Sequence, residues 1–236
     1  GQGAAPLQSP LRRAIVDEPT LQAYWPFEDL ENSTQVAAGI PTGSPATAVA
    51  VTFEEDDTLL GSKPLPELTD LTQLSGTVVG TFTGQWQMDW YLRLPTAPSG
   101  LVTLLQTTCS GTGVTWIVDT DGVNVGVKVY NAAATLISSN GSLASSFYGG
   151  WIHVRLFAQT DAANVDWTFV WFPVTYPATS GFFFTGTFVG SVGGVTGWSI
   201  PPDADLGGLR MGHLAVMNAF NLDTADNAAT GWKGDT

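Results

Sequence analysis

The side chains able to do chemistry in this sequence are few, and most fall on strand-like segments. Histidine occurs only at His153 and His213 and cysteine only at Cys109, and no Gly-x-Ser-x-Gly is present to raise a serine on a strained elbow. His213 fits a hydrogen-bonded packing role better than catalysis. Cys109, at a strand end in Gln106-Thr107-Thr108-Cys109-Ser110-Gly111, reads as a small buried hydrophobe. No nucleophilic triad is expected. The stronger candidate is a carbohydrate-binding face. Tyr91, Arg93, Trp151, His153, Arg155 and Asp166 share the outward register of strand patterns, with Phe172 beside them. Flat aromatic rings beside a few fixed polar groups are what a shallow glycan site uses. The same set would serve a protein interface, or lie beneath a second buried layer, and the sequence leaves these three open.

The elements that must position these residues are strands. Trp86, Met88, Trp90, Leu92 and Leu94 alternate with Gln85, Gln87, Asp89, Tyr91 and Arg93, which is the period of a strand with one buried face. Val123 to Tyr130, Trp151 to Ala158 and Val165 to Phe172 repeat the pattern. Asp121-Gly122, Asn140-Gly141, Gly149-Gly150 and the stretch 160–164 supply turn signals, and Asp121-Gly122 predicts a tight hairpin. Before them, Ser9-Pro10 predicts a short helical turn over Leu11 to Val16, ended by Pro19. No later stretch has a long helical period. Many antiparallel strands with little helix predict an all-β, two-sheet antiparallel jelly-roll sandwich, because each sheet must bury one face on the other. The expected organisation is a lead-in at 1–22, one sandwich at 23–222 and an exit linker at 223–236.

Composition narrows the function classes. The 236 residues include nine Trp, twelve Phe and five Tyr, too much core-building material for a disordered chain. Only 12% are charged and the net charge is −13. The one basic cluster is Arg12-Arg13, so neither nucleic acid nor an anionic lipid surface is an expected partner. Residues 167–202 carry no Asp, Glu, Lys or Arg, but their prolines and glycines argue for β-structure rather than a membrane-spanning helix.

Three segments carry a resemblance. Tyr24-Trp25-Pro26-Phe27-Glu28-Asp29 resembles the opening strand of laminin-G-like, concanavalin A-like lectin/glucanase domains. Leu209-Arg210-Met211-Gly212-His213-Leu214-Ala215-Val216-Met217-Asn218 resembles their closing strand, and Gly150-Trp151-Ile152-His153-Val154-Arg155 is similar to an internal one. More narrowly, Gly1 to Arg13 followed by Ala23-Tyr24-Trp25-Pro26 resembles minor tail proteins of actinobacterial phages, in which such a sandwich sits within a longer tail-tip chain.

That resemblance sets further expectations. Family glucanases need paired carboxyls about 5–5.5 Å apart. This sequence has no Glu after Glu67, and Glu54-Glu55-Asp56-Asp57 reads as a solvated turn, so no catalytic residue is expected. Relatives often carry calcium, for which Asp119/Asp121, Asp203/Asp205 and Glu28-Asp29 with Glu31 are the only groups to consider; Asp-x-Asp-Gly is ordinarily turn chemistry, and no cofactor or metal is expected. The implied function is a non-enzymatic structural or adhesion module in an extracellular virion tail. It would contact other tail proteins and host-surface glycan, as a homo-oligomer within a symmetric tip. The alternatives are a glycoside hydrolase-like enzyme and a ligand-free spacer.

Overall fold

The computed structural model describes residues 8–144, 146–174 and 181–220. Residues 1–7 of the expected 1–22 lead-in and the whole expected exit linker, 223–236, lie outside them. One helix, α1 (Pro10–Val16), precedes β1 (Leu21–Trp25), β2 (Gln35–Val36), β3 (Ala46–Asp56), β4 (Leu65–Thr77) and β5 (Gln85–Arg93). Then come β6 (Val102–Gly111), β7 (Thr115–Thr120), β8 (Asn124–Tyr130), β9 (Leu136–Leu143) and β10 (Ile152–Asp161). The last are β11 (Asn164–Pro173), β12 (Phe182–Val189), β13 (Val192–Ile200) and β14 (Arg210–Met217).

Hydrogen bonding runs β12-β11-β10-β5-β14-β4-β13-β6-β7-β8-β9, with β1 on β14, β3 on β4 and β2 on β3. The path folds into two antiparallel layers that hinge where β14 meets β4 at the Arg210–Glu67 pair. Strands β12, β11, β10, β5, β14 and β1 make one layer; β3, β4, β13, β6, β7, β8 and β9 make the other. The connections β4–β5, β5–β6, β9–β10, β12–β13 and β13–β14 all cross between layers, giving the expected all-β sandwich.

Aromatic rings fill the interlayer space. Trp116 on β7 meets Trp86 of the opposite layer edge-on at 5.1 Å and also contacts Trp167 and Phe188. Trp90, Phe169 and Phe184 continue the stack. The register predicted for Trp86, Trp90 and Trp167 therefore holds, and all are buried. Where β9 and β12 meet at the far seam, side chains complete what strand pairing leaves open: Ser138 donates to the Thr187 carbonyl (3.1 Å) and Asn140 to that of Thr185 (2.5 Å).

Three expectations need correction. Glu54-Glu55-Asp56-Asp57 is not a solvated turn: its first three residues end β3, and Asp56 is buried and paired with Arg93 and Arg210. The helix is no detached lead-in, because Leu11 and Ile15 are buried in the sandwich core and the Leu11 amide bonds the Gly61 carbonyl. Ser9 caps it as expected, accepting from the Arg12 amide. Asn140-Gly141 is not a turn but lies inside β9, where Gly141 faces Gly126 and Asn140 reaches across the seam. The real turn is 131–135, where the Asn131 carboxamide oxygen accepts from the Ala133 and Thr135 amides. The Asp121-Gly122 hairpin forms as predicted: Gly122 has φ +84°, and a β-carbon there would sit 2.2 Å from the Pro98 carbonyl oxygen.

Candidate functional site

The outward face of β5 and β10 holds four of the residues singled out for binding, Tyr91, Arg93, His153 and Arg155, and all but Arg93 are buried. Asp89 is fully buried, directly opposite Arg155 in the β5–β10 register. Arg155 donates to its carboxylate from Nη2 (3.0 Å) and Nε (3.2 Å), Gln87 Nε2 donates at 2.8 Å, and His153 Nε2 lies 3.1 Å away. Burial works against the charged carboxyl, but the Arg155 guanidinium and the His153 bond outweigh it and hold Asp89 below the ordinary range. Burial, aided by Arg155, also holds His153 below its usual value against the pull of Asp89, so the imidazole is neutral at neutral pH.

Tyr91 stacks on His153 at 4.7 Å and meets His213 edge-on. His213 begins a second network. It sits in a β14 bulge at φ +53°, with Nδ1 2.7 Å from the Tyr24 hydroxyl and Nε2 2.7 Å from Ser62 Oγ. Ser62 also donates toward Lys63 O and Glu28 Oε1. A Ser–His hydrogen bond has the outline of a nucleophile and its base. Here burial, with Arg12 adding to it, pushes the His213 pKa down to about 3. Its Nδ1 partner is a tyrosine held neutral by burial, while the Glu28 carboxylate lies 3.6 Å from Nε2, on the serine's side of the ring rather than behind it. Such an imidazole is a poor proton acceptor near pH 7 and reads as the hydrogen-bonded packing residue expected.

The six proposed carbohydrate contacts therefore do not form one open face. Tyr91, His153 and Arg155 come together around Asp89, but buried. Trp151, only 6% exposed, donates from Nε1 to Thr58 Oγ1 (2.9 Å). Arg93 reaches the same hydroxyl (3.2 Å) and pairs with Asp56 at 2.7 Å, leaving its side chain 30% exposed. Asp166 is exposed on β11, opposite Gln159 and Thr187. The partial exposure expected of Tyr91, Trp151, His153 and Arg155 is thus overturned. Polar side chains that satisfy one another can be buried at acceptable cost, and alternation does not report that.

The open surface is on the other layer. Across it runs a cross-strand row, Thr47, Ser75, Ser199, Gln106, Ile117, Lys128 and Ser139, drawn from seven adjacent strands. The neighbouring row carries Thr77, Gly197, Thr108, Thr115 and Tyr130. Gln106, Thr108, Thr115, Ile117, Lys128 and Tyr130 are each half-buried. Lys128 is paired with Asp119, whose carboxyl burial nonetheless raises. A shallow depression of about 300 Å³ lies beside Tyr130, lined also by Thr115, Ile117 and Asn131. Sequence reasoning missed this face, although the outward register of Lys128 and Tyr130 was visible in the valine alternation of β8.

The acidic groups considered for calcium have other occupations. Asp119 holds Lys128, Asp121 accepts from the Val123 and Asn124 amides, and Asp203 accepts from the Asp205 amide, with Asp205 held by Ser99. Asp29 accepts from the Ala37 amide and Glu28 from that of Lys63. Among the described residues no three His, Cys, Asp or Glu side chains converge as a metal site. EDTA is expected to leave the melting temperature unchanged; a drop restored by calcium would show that one of these groups binds metal.

No protein-family model and no curated protein matches the sequence. Solved structures do match in shape. The chain is similar to the crystal structure of the botulinum neurotoxin serotype D binding domain, with TM-score 0.54 and 8% identity over 84% of this chain and 47% of that one. It is likewise similar to the receptor binding domain of botulinum neurotoxin mosaic serotype C/D, with TM-score 0.53 and 7% identity over 84% and 47%. Domain 4 of AbnA, a GH43 extracellular arabinanase from Geobacillus stearothermophilus, aligns with TM-score 0.47 and 12% identity over 84% and 92%. The chain spans about half the length of the neurotoxin domains. What the likeness to the neurotoxin domains establishes is the fold, a large antiparallel β-sandwich.

Proposed function

We propose that this chain is a non-catalytic binding module whose ligand is a surface glycan, carried in a phage tail-tip protein as the resemblance of its first residues implies. One observation carries the binding reading. Both histidines are sequestered in the buried Asp89 and His213 networks, whereas the broad open face of β13, β6, β7 and β8 offers hydroxyls, an amide and an aromatic ring. Such a surface binds by many weak, orientation-fixing contacts and has no proton-transfer machinery. The neurotoxin neighbours, a binding domain and a receptor binding domain, support the same reading.

A single shallow site of this kind is expected to bind with a Kd between about 1 mM and 1 μM, roughly −4 to −8 kcal/mol, and to become useful through multiple copies. The test is binding of monomeric and artificially multimerised protein to actinobacterial cells and to their isolated wall polysaccharide. Multimer binding without release of reducing ends is the expected result. Robust release, abolished by changing one Asp, would replace this reading with an enzymatic one, and absence of binding in both forms would leave a structural spacer.

A further inference from the structure

We infer that the depression beside Tyr130 on the outer face of β7 and β8 is a subsite for a neutral glycan, an assignment that rests on the binding-module reading. Its frame is stiff. Tyr130 pairs with Thr115, and Thr115 with Thr108, and the register is continuous along β7–β8 and from Leu105 to Thr108 in β6–β7, so a ligand there meets groups held by two ladders.

The chemistry of the lining selects the ligand class. Tyr130 is half-exposed, and among the described residues no ring packs against it and its hydroxyl has no partner, which leaves both available. Below it, Ile117 gives an apolar floor for the C–H face of a sugar, while Thr115 supplies a hydroxyl. The Asn131 carboxamide oxygen is committed to its own turn, so its orientation is fixed and the Nδ2 donor has no protein partner among the described residues. An aromatic ring, an apolar floor and fixed neutral donors and acceptors are the set that recognises a hydroxylated ring.

Charge argues against an acidic ligand. The chain carries −13, and the cation in the adjoining row, Lys128, is neutralised by Asp119 at its side. A uronic or sialic carboxylate would enter a repulsive field and find no uncommitted cation. A volume of about 300 Å³ lies at the small end of ligand pockets and suits one or two sugar rings of a longer chain.

The experiment compares multimerised wild type, Tyr130→Ala, Tyr130→Phe and Thr115→Arg on immobilised dextran, mannan, arabinan and polygalacturonate, with circular dichroism to check folding. The expected result is binding to at least one neutral polymer, reduced about tenfold or more by Tyr130→Ala and by the blocking Thr115→Arg, and largely kept by Tyr130→Phe. Thr115→Arg reaches out from the strand, so it keeps the test valid if Tyr130→Ala does not fold. Wild-type binding that both folded variants retain would overturn the site and leave the binding reading standing. Preference for polygalacturonate would overturn the ligand class. Binding to none of the polymers or to wall polysaccharide would overturn both the subsite and the glycan reading.

Discussion

Asp89→Ala is expected to lower the unfolding free energy by about 3–5 kcal/mol, the range for removing one partner of a buried ion pair. Asp89 is fully buried and accepts from Arg155, Gln87 and His153 at once. Taking away the carboxylate leaves the Arg155 guanidinium, itself nearly buried, without its counter-charge in a medium that solvates it poorly. The loss is therefore set mainly by the stranded cation and less by the strength of the bonds removed. A second variant separates these causes. Asp89→Leu combined with Arg155→Met removes both charges while keeping apolar bulk, and should recover a large part of the loss. Urea denaturation midpoints provide the measurement. A loss below about 1 kcal/mol for Asp89→Ala would mean that water reaches this pair and that the network is not a structural element.

The Asp89 network also marks the limit of what the sequence makes legible. Alternation in β5, β8, β10 and β11 identified the strands and the core register, because an apolar face leaves a period-two trace. It says nothing about the opposite face. In β5, β10 and β14 that face is buried too, so Gln87, Asp89, His153 and Arg155 look from the sequence like solvated residues. What distinguishes them is pairing across strands, Arg155 opposite Asp89 and His153 opposite Tyr91, and register between distant segments is not written in local pattern. The opening and closing segments singled out by resemblance do meet: Tyr24 pairs with Ala215 and Trp25 with Leu214. Asn140-Gly141 misled for a related reason. Its turn composition serves a seam, with the glycine allowing close approach to Gly126 and the amide bonding the neighbouring edge strand. Tyr130 was legible as outward-facing, but the depression beside it depends on the fold of the 131–135 turn.

Acid is expected to destabilise the protein well above the carboxylate range, and the buried histidines fix the pH window. His213 is pushed down to about 3 in the folded chain, against an ordinary value near 6.5 once unfolded. Below pH 6.5 the unfolded chain takes up a proton that the native state refuses. Stability is thus complete above about pH 6.5 and is lost as pH falls toward 3, at about 1.4 kcal/mol per pH unit. By pH 5 this one residue costs about 2 kcal/mol. His153, lowered chiefly by burial, acts in the same direction. Asp89, held low by Arg155, adds its own loss only once the pH drops through the ordinary aspartate value toward its folded pKa. Asp29 and Asp119, both raised by burial, act oppositely: their ionised forms are disfavoured in the native state, so protonation returns some stability as the pH falls through their raised folded values toward the ordinary aspartate value. Urea midpoints at pH 7, 6 and 5 should fall steadily for the wild type. His213→Gln, which keeps hydrogen-bonding capacity but cannot titrate, should start less stable at pH 7 and show a slope shallower by about one proton. A wild-type midpoint that is flat from pH 7 to 5 would show that His213 and His153 accept protons in the native state, and that their surroundings admit solvent.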